Sequence, residues 1–178
     1  MFSYKVNLSN TYSGFSLSYS SNNNILSNNT ANSNSNDGFS MGTAHYNTLI
    51  NNTANSNGDD GFGLGVANYN TLSLNTAFNN INCGFNSFES TSHTLTNNIA
   101  TGNTLHGFYL AGTSISHILN NNLANNNNGS GIYLEYSSNN DLSNNIGKNN
   151  RKSGIYLFQS NGNNFIRNIL ENNYGVGF

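Results

Sequence analysis

The chain has 178 residues, of which five are basic and seven acidic, and its formal net charge is −2. Such a composition lacks the basic footprint that binds phosphate backbones, so we expect no nucleic-acid partner. No apolar run reaches membrane-spanning length and no signal-peptide pattern occurs over residues 1–10, so we also expect no membrane insertion. One repeat without any proline runs through the sequence, which predicts a single domain, residues 1–178.

Each repeat begins with a glycine followed by a predicted strand. A large apolar residue comes directly after the glycine and another two places later, which is the alternation of a strand with one buried face. The glycines are Gly14, Gly38, Gly61, Gly84, Gly107, Gly131, Gly154 and Gly177. A second predicted strand carries an inward leucine, as at Leu49, and a third carries a small inward residue, as at Ala54.

Polar side chains at three fixed positions mark the predicted corners between these strands. One column is Asn24, Asn47, Asn70, His93, His117, Asn140 and Asn163, with steps of 23 residues and one step of 24. The other two columns follow five and ten residues later and consist of asparagine throughout. Because asparagine, glycine, serine and threonine are poor in helix interiors, the period indicates an all-β solenoid with three short strands per coil and stacked asparagine ladders.

The segment from Asn47 to Phe62 resembles the right-handed parallel β-helix repeat. This repeat occurs in pectate-lyase-like carbohydrate enzymes, in a periplasmic protein of copper-enzyme maturation and in repetitive cell-surface proteins. The resemblance implies a single-stranded right-handed parallel β-helix with about 23 residues per coil. The predicted coils are a partial coil 1–13, full coils 14–37, 38–60, 61–83, 84–106, 107–130, 131–153 and 154–176, and a partial coil 177–178.

Acidic residues gather at the corner before the glycine in two successive coils. Asp37 precedes Gly38, and the pair Asp59 and Asp60 occupies the same corner one coil later, so we expect Asp37 and Asp60 to lie close together. Asp-Gly is the ordinary chemistry of a tight turn. Stacked carboxylates are also able to hold Ca²⁺, or to act as catalytic acid and base, as in polygalacturonases that this segment locally resembles. The histidine and basic motifs of that family are missing, so we expect a turn and a non-catalytic chain.

Two histidines replace asparagine in one ladder column, in successive coils. His93 and His117 are therefore expected to stack, either as substitutes for ladder amides or as ligands of a transition metal. A closed metal site needs three or four ligands, whereas the neighbours in the column are Asn70 and Asn140. The sequence favours the ladder role, and calcium at the aspartates is the one cofactor it leaves open.

Aromatic residues occupy outward positions of the first strand in the later coils. The candidates for contact with another chain or with a sugar are Tyr109, Tyr133, Tyr156, Phe88 and Phe158. Exposed aromatic rows form contact patches or sugar platforms, although tyrosine is also a good strand former without any ligand.

Neither end of the chain carries a recognisable cap, and apolar residues lie near both ends. Phe2, Val176 and Phe178 are predicted to mediate end-to-end self-association, because uncapped strand edges pair with other chains. The sequence therefore favours a structural or adhesive solenoid at the cell surface or outside the cell, with other copies of itself as partners. The chain is then a mature segment or a fragment. A carbohydrate-binding or carbohydrate-active β-helix is the alternative.

Overall fold

A computed structural model gives the structure of the chain and describes the strand Lys5–Val6 and residues 10–175. The described residues form 22 short parallel strands, β1 to β22, in three sheets, and successive coils are hydrogen-bonded along the axis. The predicted right-handed parallel β-helix is confirmed, and residues pair at the expected spacing, as where Phe62 lies beside Phe85. Among the described residues, no helix is long and apolar enough to cross a membrane.

The first sheet, here called the glycine sheet, follows the glycine column. Its strands are β2 Phe15–Leu17, β5 Phe39–Gly42, β8 Phe62–Gly65, β11 Phe85–Phe88, β14 Phe108–Ala111, β17 Ile132–Glu135 and β20 Ile155–Phe158. Its inward phenylalanines stack in register, so the rings of Phe39 and Phe62 are nearly parallel with centroids 4.8 Å apart. This stack supplies the largest side chains of the core.

Two further sheets close the coil. The leucine sheet consists of β3 Ile25–Ser27, β6 Thr48–Ile50, β9 Thr71–Ser73, β12 Thr94–Thr96, β15 Ile118–Asn120, β18 Asp141–Ser143 and β21 Asn164–Ile166. The alanine sheet consists of β1 Lys5–Val6, β4 Thr30–Asn32, β7 Thr53–Asn55, β10 Thr76–Phe78, β13 Ile99–Thr101, β16 Leu123–Asn125, β19 Ile146–Lys148 and β22 Ile169–Glu171. Alternate residues of these strands are buried, as the sequence pattern predicts.

The asparagine ladders satisfy the backbone where the chain turns between sheets. The side-chain oxygen of Asn75 accepts two hydrogen bonds from Asn52, one from its backbone N–H at 2.9 Å and one from its side-chain N–H at 3.0 Å. The Asn52 side chain also donates to the carbonyl of Leu26 at 2.9 Å. Asn51, which precedes it, has a φ of 53°, a left-handed conformation that asparagine tolerates. The ladder therefore provides a partner for polar groups that would otherwise be buried unpaired.

Candidate functional site

A shallow cleft opens on the outer surface of the glycine sheet. Its floor consists of Gly42, Gly63 and Gly65, and we call it the glycine cleft. The walls include Asp37, Ser40, Asn86 and Phe88, and the volume is about 230 Å³. A Cβ atom at Gly42 or Gly65 would meet no atom within 4 Å, so the cleft exists because these outward positions carry no side chain.

The predicted approach of the aspartates is present at one side of this cleft. Single carboxylate oxygens of Asp37, Asp59 and Asp60 all lie within 4.8 Å of one another. Asp60 is 4% exposed, and its carboxylate accepts the backbone N–H of Cys83 and the side-chain N–H of Asn86, both at 2.8 Å. Asp37 accepts the backbone N–H of Asp60 at 3.1 Å. Asp37 and Asp60 thus accept backbone N–H groups at this corner, and Asp37 also lines the cleft.

Burial sets the proton affinity of this pair. It raises the pKa of Asp60 to about 7, against the opposing effect of its hydrogen bonds with Asn86 and Cys83, and the charges of Asp37 and Asp59 raise it further. The pKa of Asp37 is also raised, mainly by burial. A carboxyl group that exchanges its proton near neutral pH is able to act as a general acid or base.

The acidic cluster offers some, but not all, of the ligands that calcium takes. Ca²⁺ usually has about six to eight oxygen ligands, including carboxylates and backbone carbonyls. Both oxygens of Asp60 already accept N–H bonds, and Asp59 accepts a bond from the side chain of Asn82 at 2.9 Å. Calcium binding at this cluster stays a prediction.

Asn86 joins the acidic cluster to the cleft, and sequence reasoning gave it no role. Its side-chain nitrogen donates to Asp60, whereas its buried side-chain oxygen has no hydrogen-bond partner among the described residues. An unpaired buried acceptor lowers the stability of the fold at this point of the wall. The sequence signal for the site was the pair of glycines, Gly63 and Gly65, at outward positions where Asn86 and Phe88 stand in the next coil.

The tyrosine row begins in the coil after Asn86. Asn86 pairs with Tyr109, Tyr109 with Tyr133, and Tyr133 with Tyr156, so one outward column connects the cleft to the row. Ring centroids are 5.2 and 5.1 Å apart along the row. Tyr109 and Tyr133 stack, while the ring of Tyr156 is tilted by 31° against Tyr133, so the row presents mainly ring edges and hydroxyl groups.

Two hydroxyl groups of the row, those of Tyr109 and Tyr133, are held in the protonated form. Burial raises the pKa of Tyr133 to about 12, with smaller contributions from Glu135, and raises the pKa of Tyr109 as well. Tyr109 donates its hydroxyl to Glu135. His106 packs beside both tyrosines, with centroids 5.4 and 4.8 Å away, although the repeat pattern did not predict this contact.

The two predicted phenylalanines lie near opposite ends of the tyrosine row. Phe88 lies at the glycine cleft and is 47% exposed. Phe158 instead packs edge to face against Tyr136, with centroids 5.4 Å apart. The structure thus places Phe88 at the glycine cleft and Phe158 on strand β20 beside Tyr156, and a contact role for either residue stays a prediction.

The histidine pair lies inside the solenoid, where the ladder column predicts it. The rings of His93 and His117 stack with centroids 5.0 Å apart, and at most 1% of either residue is exposed. The Nδ1 atom of His93 accepts the backbone N–H of Asn70 at 3.1 Å, and that of His117 accepts the N–H of His93 at 3.0 Å. Both histidines therefore replace ladder asparagines as acceptors.

The predicted self-association residues, Phe2, Val176 and Phe178, lie outside the described residues. End-to-end association of copies stays a prediction.

These features define a right-handed parallel β-helix with a glycine-floored outer cleft. A family model described as "Right handed beta helix region" matches residues 2–123, and one described as "Periplasmic copper-binding protein (NosD)" matches residues 74–178. Each matches more than half of the chain, which therefore belongs to the right-handed β-helix and NosD families. A search of curated proteins gives no match.

Solved structures with the same fold include two alginate-modifying enzymes. The A-module of mannuronan C-5 epimerase AlgE4 from Azotobacter vinelandii is 23% identical with a TM-score of 0.77, and the match covers 83% of this chain and 41% of that one. The periplasmic alginate epimerase AlgG is 19% identical with a TM-score of 0.61, covering 82% of this chain and 35% of that one. The chain thus spans less than half of either structure, and at these identities the likeness shows the fold.

Proposed function

We propose that this protein binds a polysaccharide along the outer face of the glycine sheet, with the glycine cleft as its main contact. The observation that carries the proposal is the composition of that cleft. Its glycine floor lets a flat ring approach the backbone, and the exposed ring of Phe88 offers an apolar contact at its wall. Ligand sites combine such apolar contacts with a few placed polar groups.

The polar groups of the cleft suit a ligand rich in hydroxyls. Asp37 accepts hydrogen bonds, Ser40 both donates and accepts, and the Asn86 side chain lines the wall beside them. The column from Gly63 through Asn86 to Tyr109 continues along the rod, so an extended polymer has more to contact than a single sugar has. The hydroxyl groups and edges of the tyrosine row provide the additional contacts.

The similar proteins support the same proposal. Both solved relatives are named as enzymes that act on mannuronan or alginate, which are carbohydrates. They favour the carbohydrate alternative over the structural or adhesive role that the sequence favoured. A location outside the cytoplasm is part of the proposal, because both the NosD model and AlgG are named as periplasmic.

Acid–base chemistry on the bound polysaccharide is a second candidate. It is favoured by Asp60, a carboxyl group with a pKa of about 7 that hydrogen-bonds to Asn86 at the cleft wall. In this candidate the acidic cluster exchanges a proton with the glycan: Asp37 is the member that lines the cleft, and Asp60 is the member whose pKa lies near neutral pH.

Binding is tested with purified protein, a soluble polyuronate and a neutral glucan, by calorimetric titration. Gly65→Tyr fills the cleft at a position with free space, and Ser73→Tyr places the same ring on the outer face of the leucine sheet as a control. We expect Gly65→Tyr to weaken binding by about tenfold or more, equivalent to about 1.4 kcal/mol, and Ser73→Tyr to leave it unchanged. Equal affinities for the wild type and Gly65→Tyr, or no binding of either polysaccharide, would contradict the proposal.

Catalysis is separated from binding by Asp60→Asn. If Asp60 transfers a proton, this variant loses product formation, followed by chromatography and NMR of the polysaccharide, while its affinity is retained.

Repeating the titration with a chelator and then with added calcium tests the cation prediction, because a calcium-dependent site loses affinity in the chelator and regains it when calcium is added.

A further inference from the structure

A polar pocket lies inside the otherwise apolar core, between Ser87, His93 and His117. The cavity is small, about 10 Å³, and apolar side chains such as Leu64 and Phe108 complete its wall. It arises from the sequence because Ser87 stands in the column that carries Leu64 and Leu110 in the adjacent coils, so a serine leaves the space of a leucine.

The hydrogen bonds fix which nitrogen of each histidine carries the proton. A backbone N–H always donates, so each Nδ1 atom that accepts one must present its lone pair. Burial lowers the pKa of His117 to about 4 and the pKa of His93 well below its ordinary value, so both rings are neutral near pH 7. The proton of each neutral ring is therefore on Nε2.

The pocket consequently contains more donors than acceptors. The Nε2 atom of His117 lies 3.4 Å from the hydroxyl oxygen of Ser87. The Nε2 atom of His93 is buried and has no hydrogen-bond partner among the described residues. The pocket requires an acceptor for this N–H, and a volume near 10 Å³ is about that of one water-sized sphere.

We infer that Ser87, His93 and His117 form an internal binding site for one water molecule and not for a copper ion. The water accepts from His93 Nε2 and exchanges a hydrogen bond with the Ser87 hydroxyl group. It stabilises the interruption that the two histidines make in the asparagine column.

The copper named in the NosD model does not fit the donors of this chain. A metal at Nε2 needs a lone pair there, and moving the proton to Nδ1 would set it against a backbone N–H. The other two histidines are engaged in the same way, because His45 and His106 accept backbone N–H groups at Nδ1 at 3.1 and 3.0 Å.

The described sulfur atoms do not supply a copper site either. Cys83 is fully buried, and burial raises the pKa of its thiol, which keeps it protonated. Met41 is 1% exposed within the apolar core. Copper prefers imidazole and sulfur ligands with free electron pairs at one place, and the described histidine and sulfur atoms are not brought together in that form.

Three measurements on the full chain test the inference. Nitrogen NMR of the histidine rings at neutral pH should show the Nε2–H form for His93 and His117, and an Nδ1–H form would overturn the assignment. A high-resolution crystal structure should show one water within about 3.2 Å of His93 Nε2. An empty pocket, or an ion with an anomalous copper signal, would overturn the inference of a water site.

Copper titration uses a matched variant. The double variant His93→Asn, His117→Asn restores the asparagine column, whose members Asn70 and Asn140 donate to carbonyls of the preceding coil, so it should fold. We expect dialysis against Cu⁺ to leave equal metal contents in the wild type and the variant. A stoichiometric ion held by the wild type and lost from the variant would refute the inference.

Discussion

At the scale of single residues, each corner of a coil requires an acceptor for a backbone N–H, and several side chains fulfil this role. Asparagine does so in the predicted ladders, histidine at His93 and aspartate at Asp60. Serine forms a further series, in which Ser90 accepts the N–H of Ala67 and Ser160 that of Ser137. These positions require only a hydrogen-bond acceptor. A histidine or an aspartate at a corner is therefore not by itself evidence of a catalytic role.

Titration of the buried groups makes stability depend on pH in two opposing ways. The pKa of His117 is lowered from 6.5 to about 4 by folding, so between these pH values the unfolded chain binds more protons than the folded chain. His117 therefore makes the free energy of unfolding rise with pH in this range. His93 acts in the same direction. The pKa of Asp60 is raised from 3.8 to about 7, so the folded chain binds more protons in that window and stability falls with pH.

We therefore predict that Asp60→Asn steepens the rise of the unfolding free energy between pH 4 and 6.5. The increase in slope is at most about 1.4 kcal/mol per pH unit, since one titrating group is removed. Urea unfolding at closely spaced pH values measures it. The double variant His93→Asn, His117→Asn should lose part of the rise instead, and identical profiles for the wild type and Asp60→Asn would contradict the prediction.

At the scale of the strand, glycine serves two different purposes. At Gly61, before strand β8, a Cβ atom would lie 2.7 Å from Ala77 Cβ, 2.7 Å from the carbonyl oxygen of Gly84 and 2.9 Å from Asn80 Nδ2. Such distances leave no room for a side chain, so the glycine column is a packing requirement. At Gly65, the last residue of β8, no atom lies within 4 Å, and glycine there shapes the cleft instead.

We predict opposite effects for alanine at these two positions. Gly61→Ala should lower the free energy of unfolding by about 1 to 3 kcal/mol, because an overpacked interior must shift its backbone. Gly65→Ala should be neutral, or stabilising by up to about 1 kcal/mol through the unfolded state. Chemical denaturation of both variants decides the matter, and equal losses would show that the two glycines share one role.

At the scale of the whole molecule, each described coil contacts its neighbours through the same parallel pairing. Leu72 lies beside Leu49 and Leu95, and Phe62 beside Phe39 and Phe85. Such a solenoid is stabilised by interactions between adjacent coils. A second copy of the predicted coil 61–83, inserted after the first, should therefore find the same contacts on both sides.

We predict that duplicating residues 61–83 gives a folded protein longer by about 4.8 Å, the spacing of adjacent strands. A duplicate lacking Ser73, one residue of strand β9, should instead fold poorly, because a one-residue slip reverses which side chains face the core. Small-angle X-ray scattering and thermal unfolding measure both. A full-length duplicate that unfolds, or a shortened one of equal stability, would count against coil modularity.

The sequence by itself determined the solenoid, its three sheets, its register and its ladders. It did so because each coil repeats the same inward positions, so the contacts of Phe62 or Asn75 follow from counting residues. The approach of Asp37 to Asp60 followed from the same count. Only the tertiary structure decided the site, since the depth of the cleft at Gly65, the unpaired oxygen of Asn86 and the proton position on His93 depend on side-chain directions, local burial and hydrogen-bond geometry. A repeat fixes which residues stack, whereas the spaces between them arise where one coil departs from the next.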